Sequence, residues 1–302
     1  MPKYLPITAA CISTGIGGLV AVYTRLLVQG YDPVSLGVLR YGIALICLLT
    51  GVLFVRDRFI KRVDRLPMAL IGILFFSFFP IGFSVALKYT TAAQGALVFS
   101  VMPIITIILA GLARREKITL MKLFGSFLVF FGVASVVDLD FQGKGETFFG
   151  NLIMFCMAFL GAVFNVLARP YLQKYNKLIA TTWFMLWGWL GMVAVLISSS
   201  ELNFYIPPPD IWLIIILLGS LGGALPIFLF NWALGNIEST KVAVSIGFNP
   251  LVAALAGIFV LSEAVNAAMF FGLAMVVFGV LAANWSSREA SPRSVRSLKK
   301  LI

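Results

Sequence analysis

Long apolar runs recur along this chain of 302 residues, and they restrict its fold more than any other feature. Each run is roughly 18 to 24 residues long, about the length that a helix needs to cross the hydrocarbon core of a bilayer. Short polar or Pro/Gly-rich breaks separate the runs. Ten can be distinguished, approximately at Tyr4–Val28, Val34–Val55, Leu66–Leu87, Ala93–Ala113, Thr119–Val137, Phe149–Arg169, Ile179–Ser198, Ile211–Gly235, Val242–Leu261 and Ala267–Trp285.

The composition agrees with a membrane protein. The chain is 61% hydrophobic and 12% charged, whereas soluble domains are about half apolar and about a quarter charged. Lipid offers no water to unpaired backbone groups, and no run alternates like a strand of a membrane barrel. We therefore predict an all-α integral membrane protein with ten transmembrane helices. The first run lacks a small-residue cleavage site and is expected to be a retained span.

The positions of the basic residues predict the orientation. If the N-terminus lies inside, 19 of the 23 Lys and Arg residues fall on the cytoplasmic side. Only Arg25, Lys88 and Lys144 fall outside, and Arg40 lies within a span. This bias predicts that both termini are cytoplasmic and that the protein lies in a bacterial plasma (inner) membrane. It also explains the net charge of +11 as a consequence of membrane orientation, so we expect no nucleic-acid partner. The basic tail, residues 286–302, is expected to be disordered.

The chain contains an internal repeat. A shift of 147 residues aligns Ala86–Val133 with Ala233–Val280 without a gap, with eleven identities over 48 positions. Chance matches between apolar helices would rarely pair proline, glutamate and two glycines. The paired positions are Pro103 with Pro250, Glu116 with Glu263, Gly125 with Gly272 and Gly132 with Gly279.

The repeat predicts two units, residues 1–137 and residues 138–285. Each unit holds five spans, and because five is odd the second unit must cross the membrane in the opposite sense. Glu116 has basic neighbours and Glu263 has none, as expected if the first lies inside and the second outside. Inverted repeats are typical of secondary transporters, whose substrate binds near the midplane between the halves.

Three segments carry a family resemblance: "LGVLRYGIAL" from Leu36, "ALKYTTAAQGALVFSVMPIITIILAGLARREKIT" from Ala86 and "NIESTKVAVSIGFNPLVAALAGIFVLSEAVN" from Asn236. With them the chain resembles the drug/metabolite transporter superfamily, specifically its EamA-type ten-helix exporters. The resemblance covers about Leu5 to Trp285 and implies the fold and an outward direction of transport. It does not imply one substrate, because the family handles amino acids, nucleotides, sugar phosphates and drugs. The first span lacks the tryptophan that is often found there.

Polar groups at membrane depth are costly and are therefore candidates for a binding site. Arg40 lies about seven residues into its span, roughly 10 Å along the helix; it could contact an anion, or it could snorkel to the interface or cap carbonyls. Prolines near midspan expose carbonyls, which could line a cavity or could only kink a helix. The candidate cavity residues are Arg40, Ser77, Pro80, Ser100, Pro103, Asn165, Trp187, Pro226, Asn231, Gly247, Asn249 and Pro250.

Other features favour structural roles. Glu116 and Glu263 stand at helix ends, where a cap or loop contact is expected. The glycines of the repeat recur at seven-residue spacing, as close helix contacts do. The chain has no histidine, and its three cysteines lack CxxC spacing, so we expect no metal site, disulfide or cofactor.

The sequence thus favours a secondary carrier that moves a small neutral, zwitterionic or anionic metabolite, amino-acid-like, by alternating access. A proton-coupled multidrug efflux carrier is the alternative, although such a carrier for cations would be expected to keep a carboxylate at midspan, and no Asp or Glu lies there. A non-transporting receptor or scaffold is a remote alternative. An intramembrane enzyme is disfavoured because the spans lack GxSxG, HExxH and paired aspartates. The expected partners are a small-molecule substrate and the bilayer, and homo-oligomerisation stays open.

Overall fold

The computed structural model describes residues 4–28, 30–90, 92–136, 145–198, 207–261 and 267–285. Every regular element in these ranges is helical. The α-helices are α1 (Leu5–Val28), α2 (Pro33–Val52), α3 (Arg62–Phe76), α4 (Phe78–Tyr89), α5 (Ala92–Phe99), α6 (Met102–Leu112), α7 (Leu120–Val136), α8 (Gly145–Lys174), α9 (Lys177–Ser198), α10 (Trp212–Gly219), α11 (Leu225–Asn236), α12 (Ser239–Val244), α13 (Phe248–Leu261) and α14 (Ala267–Trp285).

Six helical stretches in the described ranges are long and apolar enough to cross a membrane by length and composition. They support an integral membrane protein, as predicted. The number of ten spans and the inverted relation of the two units stay predictions. The six stretches are Leu5–Val28, Pro33–Val52, Arg62–Tyr89, Gly145–Lys174, Lys177–Ser198 and Trp212–Asn236.

Several stretches are interrupted near their middle. Ser77 separates α3 from α4, and Ser100 and Val101 separate α5 from α6. A π-helical segment, Ser220–Ala224, joins α10 to α11, and a 3₁₀ turn, Ser245–Gly247, joins α12 to α13. Such departures from α-helical bonding are frequent at functional sites because they change which backbone carbonyls accept hydrogen bonds.

Helix α8 extends beyond its predicted end at Arg169. It continues through Pro170 to Lys174. Proline has no N–H to donate to the carbonyl four residues earlier, which here belongs to Val166. The Arg115 guanidinium donates to this oxygen instead. A side chain from the turn after α6 thus replaces the missing backbone bond, which sequence periodicity cannot indicate.

The repeated glycines make a close helix contact, as their spacing predicts, and the two helices that they bring together are α7 and α14. A Cβ atom on Gly125 would lie 2.5 Å from the carbonyl oxygen of Gly279, and one on Gly279 would lie 2.6 Å from that of Gly125. A Cβ on Gly132 would lie 2.9 Å from the oxygen of Gly272. The backbones therefore touch, and the predicted role of these glycines in helix packing is confirmed.

The remaining helices surround a central space. α1 packs against α11 and α13, α8 packs against α4, α6 and α11, and α9 packs against α2 and α3. The largest core cluster lies where α2, α3, α8 and α9 meet, around Phe76, Phe164 and Phe184. Since α1 contacts helices of the second predicted unit and α8 contacts helices of the first, residues from both predicted units line this space.

Candidate functional site

A cavity of about 190 Å³ lies between α1, α2, α3, α4, α8 and α11. Most of its wall is apolar, and seven phenylalanines contribute to it. Phe75 is central among them, because its ring stacks on Phe164 with centroids 4.2 Å apart and on Phe79 with centroids 4.7 Å apart. Stacked rings of this kind offer a rigid apolar surface for a flat or bulky group.

Arg40 places a positive charge in this wall. Helix α2 begins at Pro33, and the Asp32 carboxylate accepts a hydrogen bond from the backbone N–H of Ser35 at 2.8 Å, which fixes the first turn. Arg40 follows two turns later with 7% of its surface exposed. Its Nη1 donates to the Thr24 hydroxyl at 2.7 Å. This burial argues against snorkelling to the interface.

The Arg40 charge lacks a counter-charge within the described ranges. No carboxylate there forms an ion pair with it, and its Nε has no hydrogen-bond partner there. A buried cation without an anionic partner is costly in a membrane protein. The arrangement is therefore suited to an anionic ligand group such as a carboxylate.

Two asparagines add neutral polar groups. Asn165 on α8 is fully buried, lines the cavity, and has no hydrogen-bond partner for either amide atom within the described ranges. Asn231 on α11 also lines the cavity, and its Nδ2 donates to the Thr181 hydroxyl at 3.2 Å. An orphaned buried amide can both donate to and accept from a ligand.

Two polar residues of α1 were missed by sequence reasoning. The Ser13 hydroxyl donates to the Pro226 carbonyl at 2.6 Å, and the Thr14 hydroxyl donates to the Ser245 carbonyl at 2.7 Å. Both residues line the cavity. The signal was present as two adjacent hydroxyl residues inside an apolar run, where buried hydroxyls need partners.

Six of the candidate residues come together in this cavity, namely Arg40, Pro80, Asn165, Pro226, Asn231 and Asn249. Pro250 lines a smaller void beside it, together with Asn249. Their roles in binding stay predictions.

The other five candidates lie away from the cavity wall. The Ser77 hydroxyl donates to the Gly188 carbonyl at 2.7 Å, and the Ser100 hydroxyl donates to the Leu97 carbonyl at 2.6 Å. Pro103 is buried in the first turn of α6. Backbone N–H groups there have no acceptor within the helix, so the N–H that proline lacks costs no helical hydrogen bond. Trp187 lies on α9, and Gly247 packs so closely that a Cβ there would lie 2.4 Å from a Val129 methyl carbon.

A second polar region lies at the end of the molecule that the sequence predicts to be cytoplasmic. Arg114 adopts a left-handed conformation, with φ of 52°, and turns the chain after α6. Glu116 then reaches the N-terminus of α12. Its Oε1 accepts from the N–H and the hydroxyl of Ser239, both at 2.6 Å, and its Oε2 accepts from the N–H of Thr240 at 3.2 Å and its hydroxyl at 2.8 Å. The predicted capping role of Glu116 is confirmed; Glu263 lies outside the described residues.

Charged neighbours surround this cap. Lys122 Nζ lies 3.8 Å from Glu116 Oε2 and 3.3 Å from Glu238 Oε2, and Arg169 Nη1 lies 3.6 Å from Glu116 Oε1. Lys241 Nζ lies 3.0 Å from Glu238 Oε2. Burial opposes ionisation of Glu238, but the two lysines outweigh it and hold its pKa below the usual value. The cluster joins α7 and the turn before it to α8 and α12.

Comparison with known proteins agrees with this architecture. The EamA-like transporter family matches residues 5–137 and again residues 148–285. The chain is 27% identical over 295 residues to a protein of Bacillus subtilis (strain 168) named "Uncharacterized transporter YyaM", with 93% of each chain covered. It is 23% identical over 276 residues to the "Probable terminal-alkyne amino-acid exporter" of Streptantibioticus cattleyicolor, covering 88% of this chain and 90% of that protein.

A solved crystal structure shares the fold. It superposes with a TM-score of 0.72 at 19% sequence identity, and the match covers 91% of this chain and 96% of that chain. The names of the family and of these relatives indicate a transporter rather than an enzyme. Since the two family matches together span nearly the whole sequence, this chain belongs to the EamA-like transporter family.

Proposed function

We propose that the protein is a secondary carrier that exports a small metabolite bearing a carboxylate, of the amino-acid-like class, by alternating access. In this proposal the chain crosses the bacterial inner membrane ten times, as two inverted five-helix units with both termini in the cytoplasm. The substrate binds in the central cavity, where residues of both units meet.

One observation carries the substrate class, namely the buried Arg40 guanidinium without a carboxylate partner among the described residues. A carboxylate would supply the missing charge and could accept from the unpaired Nε. The unpaired amide of Asn165 could then bind a second polar group, and the phenylalanine wall could hold an apolar body. In a carrier, the unpaired polar groups of the binding cavity form their hydrogen bonds and ion pairs with the substrate rather than with the protein.

Two further points support the proposal. Among the described residues that line the cavity there is no Asp or Glu, which disfavours cationic drugs as substrates. The Streptantibioticus relative is named as an exporter of an amino acid. Its name supports an amino-acid-like substrate here, but at 23% identity it does not identify the compound that this chain transports.

The test is efflux from proteoliposomes loaded with labelled amino acids and monocarboxylates, with and without a pH gradient. We expect efflux of at least one carboxylate compound, lost in Arg40→Gln and retained in Lys88→Gln. Lys88 is an exposed basic residue, so the second variant controls for loss of a charge. Efflux of ethidium driven by the pH gradient, without efflux of any carboxylate, would establish the multidrug alternative instead.

A further inference from the structure

A second cavity, of about 210 Å³, lies beside the Glu116 cap at the predicted cytoplasmic end. We call it the arginine cavity. Its lining residues are Arg115, Glu116, Val166, Arg169, Pro170, Gln173 and Ser239. It is about as large as the central cavity, but its wall is polar and basic, and it is formed by α8 together with the segments that precede α7 and α12.

Both arginines of this cavity are held in place by backbone carbonyls, one in α8 and one in the segment between α11 and α12. Arg115 Nη1 donates to the carbonyl of Val166, which Pro170 leaves unpaired, and Arg169 Nε donates to the carbonyl of Ile237 at 2.8 Å. Their other guanidinium nitrogens form no hydrogen bond to the described residues. Each arginine is therefore oriented by one hydrogen bond and keeps further N–H donors for a ligand. An oriented guanidinium with free donors is suited to binding an oxyanion.

Glu116 does not use up this donor capacity. Its two oxygens already accept four hydrogen bonds from Ser239 and Thr240. The distance of 3.6 Å from Arg169 Nη1 to Glu116 Oε1 is longer than a hydrogen bond. Arg169 thus forms an ion pair with Glu116 but no hydrogen bond to it, and a ligand carboxylate could approach its guanidinium more closely.

The charge balance around the arginine cavity also favours an anion. Four cations, Arg115, Lys122, Arg169 and Lys241, stand against two carboxylates in the cluster, Glu116 and Glu238. The excess is two positive charges, and Arg114 and Lys117 add two more at the exposed turn. A basic concave site attracts anions and raises their local concentration.

We propose that the arginine cavity is a second carboxylate-binding site, in which Arg115 and Arg169 hold the substrate before it reaches Arg40 in the central cavity. This inference rests on the proposed function. The inference goes beyond the proposed function because it assigns binding to a different cavity, at the predicted cytoplasmic end, and to different arginines. The inference predicts two binding events per protein, one that depends on Arg40 and one that depends on Arg115 and Arg169.

Binding of 4-fluorobenzoate to the purified full-length protein in phosphatidylcholine nanodiscs tests this inference. ¹⁹F NMR titration gives the number of sites, and 4-fluorobenzamide serves as a neutral probe of similar shape. We expect two sites for the carboxylate in the wild type. In Arg115→Gln we expect the affinity of one site to fall at least about tenfold, as for loss of a charged hydrogen bond.

The outcomes separate this inference from the proposed function. If Arg40→Gln abolishes all binding, or Arg115→Gln leaves both sites intact, the second site is refuted while the central site stands. If Arg40→Gln leaves both sites intact, the central assignment fails and with it the transfer to Arg40, while carboxylate binding at Arg115 and Arg169 would stand. If phosphatidylglycerol in the nanodisc displaces the probe from the Arg115-dependent site, the cavity binds lipid headgroups and the inference is wrong. Tight binding of 4-fluorobenzamide there would also overturn it.

A chemical measurement on the wild type guards against a variant that fails to fold. Phenylglyoxal modifies accessible arginines, and mass spectrometry gives the rate at each position. We expect 4-fluorobenzoate to slow the modification of Arg115 and Arg169 several-fold and to leave the exposed Arg56 unchanged. Equal rates at all three positions with and without the probe would contradict the inference.

Discussion

The carboxylate of Glu116 accepts hydrogen bonds from both the backbone N–H and the hydroxyl of Ser239, which lies 123 residues later in the chain. One residue of the first predicted unit thus caps a helix of the second. Because α12 is only six residues long, its N-terminus depends on this partner from outside.

Replacement of Glu116 by alanine should destabilise the protein. The change leaves Lys122, whose side chain is 3% exposed, without one of its two carboxylate partners and leaves the α12 donors unpaired. Breaking a buried ion pair on one side costs about 3–5 kcal/mol. Thermal unfolding in detergent should show a Tm lower by several degrees, and Glu116→Gln should show a smaller loss because its amide oxygen still accepts. An unchanged Tm in Glu116→Ala would contradict this role.

Asn165→Leu should raise stability and lower substrate affinity. Leucine fills a similar volume and removes a buried amide whose two polar atoms have no partner in the described ranges. An unsatisfied buried polar group costs about 1–3 kcal/mol. We expect a higher Tm, together with weaker binding of the carboxylate substrate in the same preparation. Asn236→Leu, at an exposed position, is the control. A lower Tm with unchanged affinity would indicate that Asn165 has a structural partner instead.

Alanine at Gly125 or Gly279 should reduce the yield of folded protein. A Cβ on Gly125 would meet the Gly279 oxygen at 2.5 Å and one on Gly279 would meet the Gly125 oxygen at 2.6 Å, so α7 and α14 would have to separate. Gly30→Ala is the matched control, because its Cβ would meet nothing within 4 Å. Fluorescence-detected size-exclusion chromatography measures the yield. Equal yields for all three variants would show that the helix contact tolerates a methyl group.

The contribution of Glu238 to stability should not change between about pH 5.5 and 8. Its pKa is lowered in the folded state by Lys122 and Lys241 despite burial. The stabilisation by a carboxylate with a lowered pKa is complete above its unfolded pKa, about 4.3, and is lost only as the pH falls through the still lower folded value. The Tm difference between wild type and Glu238→Gln should therefore be constant over this interval. A difference that shrinks on acidification to pH 5.5 would show that Glu238 titrates there.

Reporter fusions can test the predicted orientation. A fusion at Gly143 should report the exterior and a fusion at Lys299 the cytoplasm, because the basic residues favour that arrangement. Alkaline phosphatase activity and green fluorescence of matched fusions distinguish the two sides. Both reporters on one side would refute ten spans with cytoplasmic termini.

Some features of the fold follow directly from local sequence. Apolar length predicts membrane helices, and the seven-residue glycine spacing predicted close helix packing, although not that α7 and α14 would be each other's partner. A carboxylate next to a helix end predicted the cap formed by Glu116. Each of these signals depends on composition or spacing within one helix.

The cavity was harder to predict, because it depends on which face each helix turns towards the others. Ser77 and Ser100 are polar residues near midspan, yet their hydroxyls bond to carbonyls elsewhere. Ser13 and Thr14 do line it, and although two adjacent hydroxyl residues stand out in an apolar run, the run alone does not show which helices they face. The left-handed Arg114 could not be predicted either, since glycine or asparagine usually occupies such a position.

The hydroxyl contacts of α1 also affect how the protein is made. Ser13 bonds to Pro226, 213 residues later, and Thr14 bonds to Ser245, 231 residues later. At about 5–20 residues per second, a ribosome needs roughly 10 to 45 s to reach these partners. During that interval the Thr14 hydroxyl can still use the Ala10 carbonyl of its own helix, at 3.0 Å. Insertion of the first helix and its final packing are therefore separate events in biosynthesis, and a nascent chain that stops before Pro226 would leave α1 in the bilayer without these two contacts.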